Sequence, residues 1–250
     1  MEQQEQHELI RRLEDLAARC ERSGAVTSSH FLTPAEQFLA ERTFKNSAAR
    51  LLLHGGHPDC ERRAAFFLPD WLEPEFFDPA EYLRAIRLTA HFGTPGHRDY
   101  LGALLGMGIG REWLGDIWVE DDGATVFCLP SVEKHLLGID KAGRVSLTAE
   151  PLALDALRAP ERKVKEQSFT VMSPRLDAVI AGMFHISRSE AARQISLGMV
   201  SVNYSLSNKT DYAVHEGDIL SLRGAGKGKV IGFGGNSRKG RLYVYTEIYQ

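Results

Sequence analysis

Cysteine is scarce in this chain. Three occur in 250 residues, Cys20, Cys60 and Cys128, and none falls in a C-x-x-C spacing. That argues against a disulfide framework and a cysteine zinc site, and it fits a reducing cytosol. His54, His57, His91 and His97 lack ligand spacing, so no metal site is expected. No stretch approaches the ~18 apolar residues of a membrane span. The start, Met1-Glu2-Gln3-Gln4-Glu5, lacks the basic region and apolar run of a signal peptide. A cytoplasmic protein without membrane contact is expected. No G-x-x-x-x-G-K-[ST] loop occurs, and the glycines from Gly106 to Gly110 end a helical stretch and do not follow a strand. Neither a nucleotide-hydrolysing loop nor a dinucleotide or S-adenosylmethionine pocket is expected, and no cofactor is expected. The aromatic pattern with which RNA-recognition sheets stack bases is also missing.

What is present is an ordinary globular composition, 43% hydrophobic and 25% charged, with a net charge of −3. That net value hides an asymmetry. From Ser168 onward there are ten Lys/Arg against six Asp/Glu, which leaves twenty against twenty-seven before it. A basic end on an acidic body points to nucleic acid at the C-terminal side.

Helical periodicity runs over residues 8–22. Thr33-Pro34-Ala35-Glu36 has a threonine cap, a proline at the first helical position and a glutamate at the third, so a helix should start there and carry Phe38, Leu39 and Phe44 inward. Arg50–His54 and Ala64–Leu68 read as strands, and Pro74 and Pro79 mark a boundary. A strand over 83–92, a helix over 98–107, a hairpin across Asp121-Asp122-Gly123, a helix capped by Ser131 and a strand over 144–148 follow. That β-α-β-β-α-β order predicts a ferredoxin-like sandwich. Trp118 and Phe127 are read as core aromatics. The charged residues 159–167 read as a linker.

The stretch from Ser173 to Arg223 organises the rest. Ser173 and Pro174 are placed to open a helix, with Leu176, Val179, Ile180 and Met183 on one apolar face. Ser187 and Glu190 have capping-box spacing, with Ala191 and Ile195 as the buried side of a second helix that Gly198 ends. Val200, Val202 and Tyr204 alternate like a strand, and Gly217-Asp218 turns into another at Ile219–Leu222. Arg175, Arg188 and Arg193 stay off the apolar faces. Arg188 sits in the first turn of its helix, where the dipole disfavours a cation. That placement suits a residue held out for phosphate. Exposed and away from core and caps, it should matter little for stability.

Arg175-Leu176-Asp177, then Ser187-Arg188 with Ala191, then Ile195 to Asn203, then Val214 to Leu220 resemble the S4 RNA-binding domain in four ordered blocks. Tyr204 stands where that pattern has glycine, so the turn should be altered. Further blocks, Gly55 to Arg63, His97 to Ile109, Arg111-Glu112 and Gly115-Asp116-Ile117, are similar to the YlmH family of bacterial S4 proteins across nearly the whole chain. The resemblance implies binding to structured ribosomal or transfer RNA. It also implies a place in ribosome-associated quality control, where a stalled large subunit carries peptidyl-tRNA, and an RNA-recognition-like middle domain. The family's genes lie near cell-division genes.

The resulting expectation is an α+β chain without catalytic activity. An N-terminal α+β region spans 1–74, an RNA-recognition-like domain 75–158, a linker 159–167 and an S4 domain with a basic hairpin 168–250. RNA contacts are expected from Arg175, Ser187, Arg188, Arg193, Asn203, Lys209, Arg223, Lys227, Lys229, Arg238, Lys239 and Arg241, with His97 and Arg98 as a secondary contact. Partners would be ribosomal RNA, the 50S subunit, tRNA and quality-control proteins, met by a monomer. The alternatives are a pseudouridine-synthase-like enzyme using Asp177, and an adaptor for cell division.

Overall fold

Thr33 caps the second helix as its sequence demands. Its hydroxyl accepts from the Glu36 N–H, and the Glu36 carboxylate takes the Thr33 N–H at 2.6 Å. The computed structural model describes residues 3–159, 164–236 and 240–249. The chain divides into two units, 1–160 and 161–250.

In the first unit, α1 (Gln3–Ser23) and α2 (Pro34–Phe44) cover one face of an antiparallel sheet ordered β1 (Thr27–Leu32), β3 (Arg63–Leu68), β2 (Arg50–His54). Ala65 and Phe67 of β3 face the helices, packing with Leu9, Leu13, Leu39 and Phe44. Ala64, Phe66 and Leu68 face the other way. That is why β3 reads as an unbroken apolar run, as strands buried on both faces do.

The second sheet of this unit holds β4 (Arg84–His91), β5 (Leu114–Glu120), β6 (Gly123–Cys128), β7 (Lys141–Ala142) and β8 (Val145–Leu152), in the order β5-β6-β4-β8-β7. With α3 (His97–Gly106) and α4 (Pro130–Leu136) this is the ferredoxin-like arrangement, extended by the short β7. Ile86, Leu88, Ile117 and Val126 pack with Tyr100, Leu104 and Leu136 of the helices. The opposite face places Ala85, Trp118 and Phe127 against Phe31, Phe66 and Leu68. A continuous core therefore runs across the boundary expected near Pro74, and the unit is layered helix, sheet, sheet, helix.

The second unit is a six-stranded sheet ordered β11 (Ser205–Leu206), β10 (Val200–Val202), β12 (Ile219–Leu222), β13 (Gly226–Asn236), β14 (Leu242–Tyr249), β9 (Val164–Val171). Helices α5 (Leu176–Met183) and α6 (Arg188–Ser196) bury Leu176, Val179, Ile180, Met183, Ala191 and Ile195 with Val200, Leu220, Val230 and Val244 of the sheet. The α+β class and the S4-type helix pair are as expected.

Local readings are corrected in five places. Residues 164–167, read as linker, belong to β9, which pairs with β14 along its whole length. The first S4 helix starts at Leu176 with Arg175 as its cap residue. Arg175 bridges Ala213, and Pro174 accepts the Val214 N–H at 2.8 Å, so the chain is held extended there. Ser131 lies inside α4, because Pro130 takes the first helical position and Leu129 the cap. Phe38 is exposed and Gln37 is buried in its place, its amide donating to the Leu32 and Glu61 carbonyls at 3.0 and 2.7 Å. Glu190 does not close a capping box; its carboxylate turns to Arg193 and Gln194.

Candidate nucleic-acid interface

The two S4 helices are joined by one carboxylate. Asp177 is the second residue of α5, and its side chain is only 8% exposed. Arg175 Nε and Nη2 donate to its two oxygens at 3.2 Å each. Arg188 Nε and Nη2 donate to the same oxygens at 3.1 and 3.2 Å. One buried negative charge thus holds two guanidinium forks side by side at the starts of α5 and α6. Burial alone would raise the Asp177 pKa, but hydrogen bonds from Arg175 and Arg188 more than reverse this and hold it below its ordinary value. The Arg175 and Arg188 side chains stay 39% and 56% exposed. The cluster carries a surplus of one positive charge, and its cations are pinned in place. Planar forks held this way suit oxyanions such as phosphate.

The other expected contacts separate into groups. Ser187 spends its hydroxyl on the Glu190 N–H at 3.1 Å and on Ser189, so it builds α6. Arg193 forks onto Glu190 at 2.9 and 2.8 Å. The hydrogen bonds from Arg193 and Gln194 pull the Glu190 carboxyl down to about 2, so Arg193 adds little net charge. Asn203 is tied inward. Its amide donates to Asp218 at 2.8 Å and its oxygen accepts from the Ile219 N–H at 2.9 Å, which makes it a turn residue and not a free RNA contact. With Tyr204 it forms the two-residue turn between β10 and β11, both at positive φ, 47° and 64°. Such turns favour glycine at the second position, so the tyrosine is strained.

Lys209 and Arg223 are exposed on loops flanking β12. Lys227 lies over the Tyr204 and Tyr249 rings, 5.7 and 5.2 Å from their centroids, and Lys229 pairs across from Glu247. Arg241 donates to the Thr170 carbonyl at 3.0 Å. Arg238 and Lys239 lie outside the described residues. His97 and Arg98 belong to the other unit and are both exposed on the first turn of α3. Burial, then Arg111, lowers the His97 pKa.

Sequence reasoning missed the tyrosine pair on β14. Tyr243 and Tyr245 are 38% and 45% exposed on the face away from the helices. Their i, i+2 spacing was the available signal. Among the described residues no His, Cys, Asp and Glu group is placed to hold a metal ion, and no helix is long and apolar enough to cross a membrane.

A helix pair bearing clamped arginines on an antiparallel sheet defines an S4-type RNA-binding protein. The S4 domain description matches residues 174–220, and "Putative RNA-binding domain in YlmH" matches 74–156. The chain is 30% identical to the "Ribosome-associated protein quality control protein P2" of Bacillus subtilis, over 87% of this chain and 85% of that one. A solved structure, "Cell division protein ylmH from Streptococcus pneumoniae", is similar in fold, with a TM-score of 0.51 at 19% identity over 59% of this chain and 91% of that one. The chain belongs to the YlmH family of S4-domain RNA-binding proteins.

Proposed function

We propose that this protein binds ribosomal RNA of the large subunit, and tRNA held there, as a cytoplasmic monomeric factor of ribosome-associated quality control, and that it performs no chemistry of its own. The observation that carries the reading is the Asp177 clamp, which presents two partly exposed guanidiniums in fixed register at the starts of α5 and α6. The printed name of the Bacillus subtilis relative supports the setting. Against the pseudouridine-synthase alternative, Asp177 has both oxygens engaged by arginines and is nearly buried, a poor position for a nucleophile that must reach a base. Lys209, Arg223, Lys227, Lys229 and Arg241 extend the basic surface along the loops and hairpin of the same unit.

The test is co-sedimentation with purified 30S, 50S and 70S particles at increasing salt. Binding to 50S that weakens as salt rises supports the proposal, because released counterions drive phosphate contacts. Equal binding to 30S and 50S, or binding insensitive to salt, contradicts it.

A further inference from the structure

RNA-recognition sheets stack unpaired bases on aromatics of their open face. In this protein half of that face is closed. Trp118 and Phe127 are 8% and 0% exposed, packed with Phe31 and Phe66 of the first sheet. The open half carries Arg87 with its partners Glu120 and Asp122, then Glu150, Thr89, Thr148 and Ser146, and no exposed Phe, Trp or Tyr. An aromatic does stand free at the rim. Phe92, directly after β4, is 104% exposed, and its φ is 60°. The fold explains neither fact, since the ring buries nothing and the left-handed backbone disfavours a bulky side chain. Strain of this kind gathers at functional positions.

The surroundings of Phe92 are basic. A Cβ on Gly93 would meet Val145 at 2.7 Å, and one on Gly143 would lie 3.8 Å from the Asp99 carboxylate. The loop after β4, the β7–β8 turn and the first turn of α3 therefore converge. They bring Arg98, Lys141 and Arg144, all exposed and none in an ion pair among the described residues. The carboxylates near them are Asp99, which accepts the Gly96 N–H at 2.9 Å, and Asp140.

We propose that Phe92, Arg98, Lys141 and Arg144 form a second RNA contact on the rim of the five-stranded sheet. An unpaired base stacks on the Phe92 ring, and its flanking phosphates meet the three cations. The proposal rests on the reading of the chain as an RNA-binding protein and gives the 74–156 region a defined contact in place of its half-closed sheet face.

Three forms of the full chain, the parent, Phe92→Gly and Phe92→Trp, decide it with purified 23S ribosomal RNA. Binding affinity, melting temperature and ultraviolet crosslinks mapped to peptides are measured. Phe92→Gly removes the ring and relieves the backbone, so it should melt no earlier than the parent yet bind about tenfold more weakly. Phe92→Trp should retain affinity, and the parent should crosslink through the peptide containing Phe92. If Phe92→Gly binds like the parent while crosslinks persist at 175–188, this proposal fails and the S4 reading stands. If no crosslink forms anywhere, both fail. Attachment of a ribosomal protein, and not RNA, to Phe92 on intact 50S particles would also overturn the proposal.

Discussion

Arg188→Ala should destabilise the second unit, contrary to what an exposed arginine suggests. The substitution removes two of the four N–H···O bonds that hold Asp177 and unties α5 from α6 at that point. Hydrogen bonds to a charged group contribute about 1.5–3 kcal/mol. Arg188 is more than half exposed, so water screens the pair, and about 1–2 kcal/mol remains. Asp177→Asn removes the charge that both forks share and should cost about 2–3 kcal/mol, below the range for fully buried pairs because the freed guanidiniums can hydrate. The double mutant should cost less than the sum of the two, with a coupling of about 1 kcal/mol. Trp71, Trp113 and Trp118 all lie in the first unit, so tryptophan fluorescence is blind to this change. Amide hydrogen exchange over 176–196 is the appropriate assay. The effect should depend on acid. The folded Asp177 pKa lies below 3.8, so its contribution is complete above 3.8 and is lost as pH falls through the folded value. The gap between parent and Asp177→Asn should be full at neutral pH and vanish in strong acid. Protection within about 0.5 kcal/mol of the parent for Arg188→Ala, with no coupling, would refute the clamp.

Tyr204→Gly should stabilise the second unit slightly. It relieves about 1–2 kcal/mol of left-handed strain and forfeits the Lys227 contact worth about 0.5–1 kcal/mol. Loss of protection in β10 and β11 on exchange would show that the ring and not the turn holds this hairpin. Gly182→Ala drives a Cβ to 2.2 Å from the Phe169 ring, so it should cost about 1–3 kcal/mol by overpacking, and a parent-like denaturant midpoint would show that the ring can yield. Burial pushes the Cys60 and Cys128 thiols up to about 12 and raises Cys20. Ellman's reagent at mildly alkaline pH should therefore label no cysteine before unfolding and all three after it. The stabilisation from these neutral thiols should fade as pH rises past the ordinary 9.0, where the unfolded chain ionises; rapid labelling of the native protein would contradict this.

Signals confined to a few residues were legible. The Thr33 box, the Pro-free apolar run of β3 and the apolar face Leu176, Val179, Ile180 and Met183 each carry their structure in local spacing. The β1 strand was missed because its register shifts between Ser28 and Phe31, which breaks the alternation. β9 was missed because Lys165 and Glu166 hide an edge strand whose partner, β14, lies more than seventy residues away. The Asp177 clamp was half legible. A local partner for Asp177 could be foreseen, but its bond to Arg188 exists only once α5 and α6 pack. Nothing near Phe92 signalled its left-handed backbone or its exposure, since neither carries a local sequence pattern.

The most direct test of the RNA reading is the salt dependence of binding. Full-length parent and the double variant Arg175→Gln/Arg188→Gln are titrated with purified 50S subunits over a series of salt concentrations, with hydrogen exchange confirming that α5 and α6 remain folded in the variant. Each lost phosphate contact should reduce the slope of log affinity against log salt by about 0.7–0.9, so two clamped arginines predict a slope shallower by about 1.4–1.8 and a weaker complex at every salt concentration. An unchanged slope and affinity, with both helices intact, would show that the Asp177 clamp holds the fold and touches no RNA.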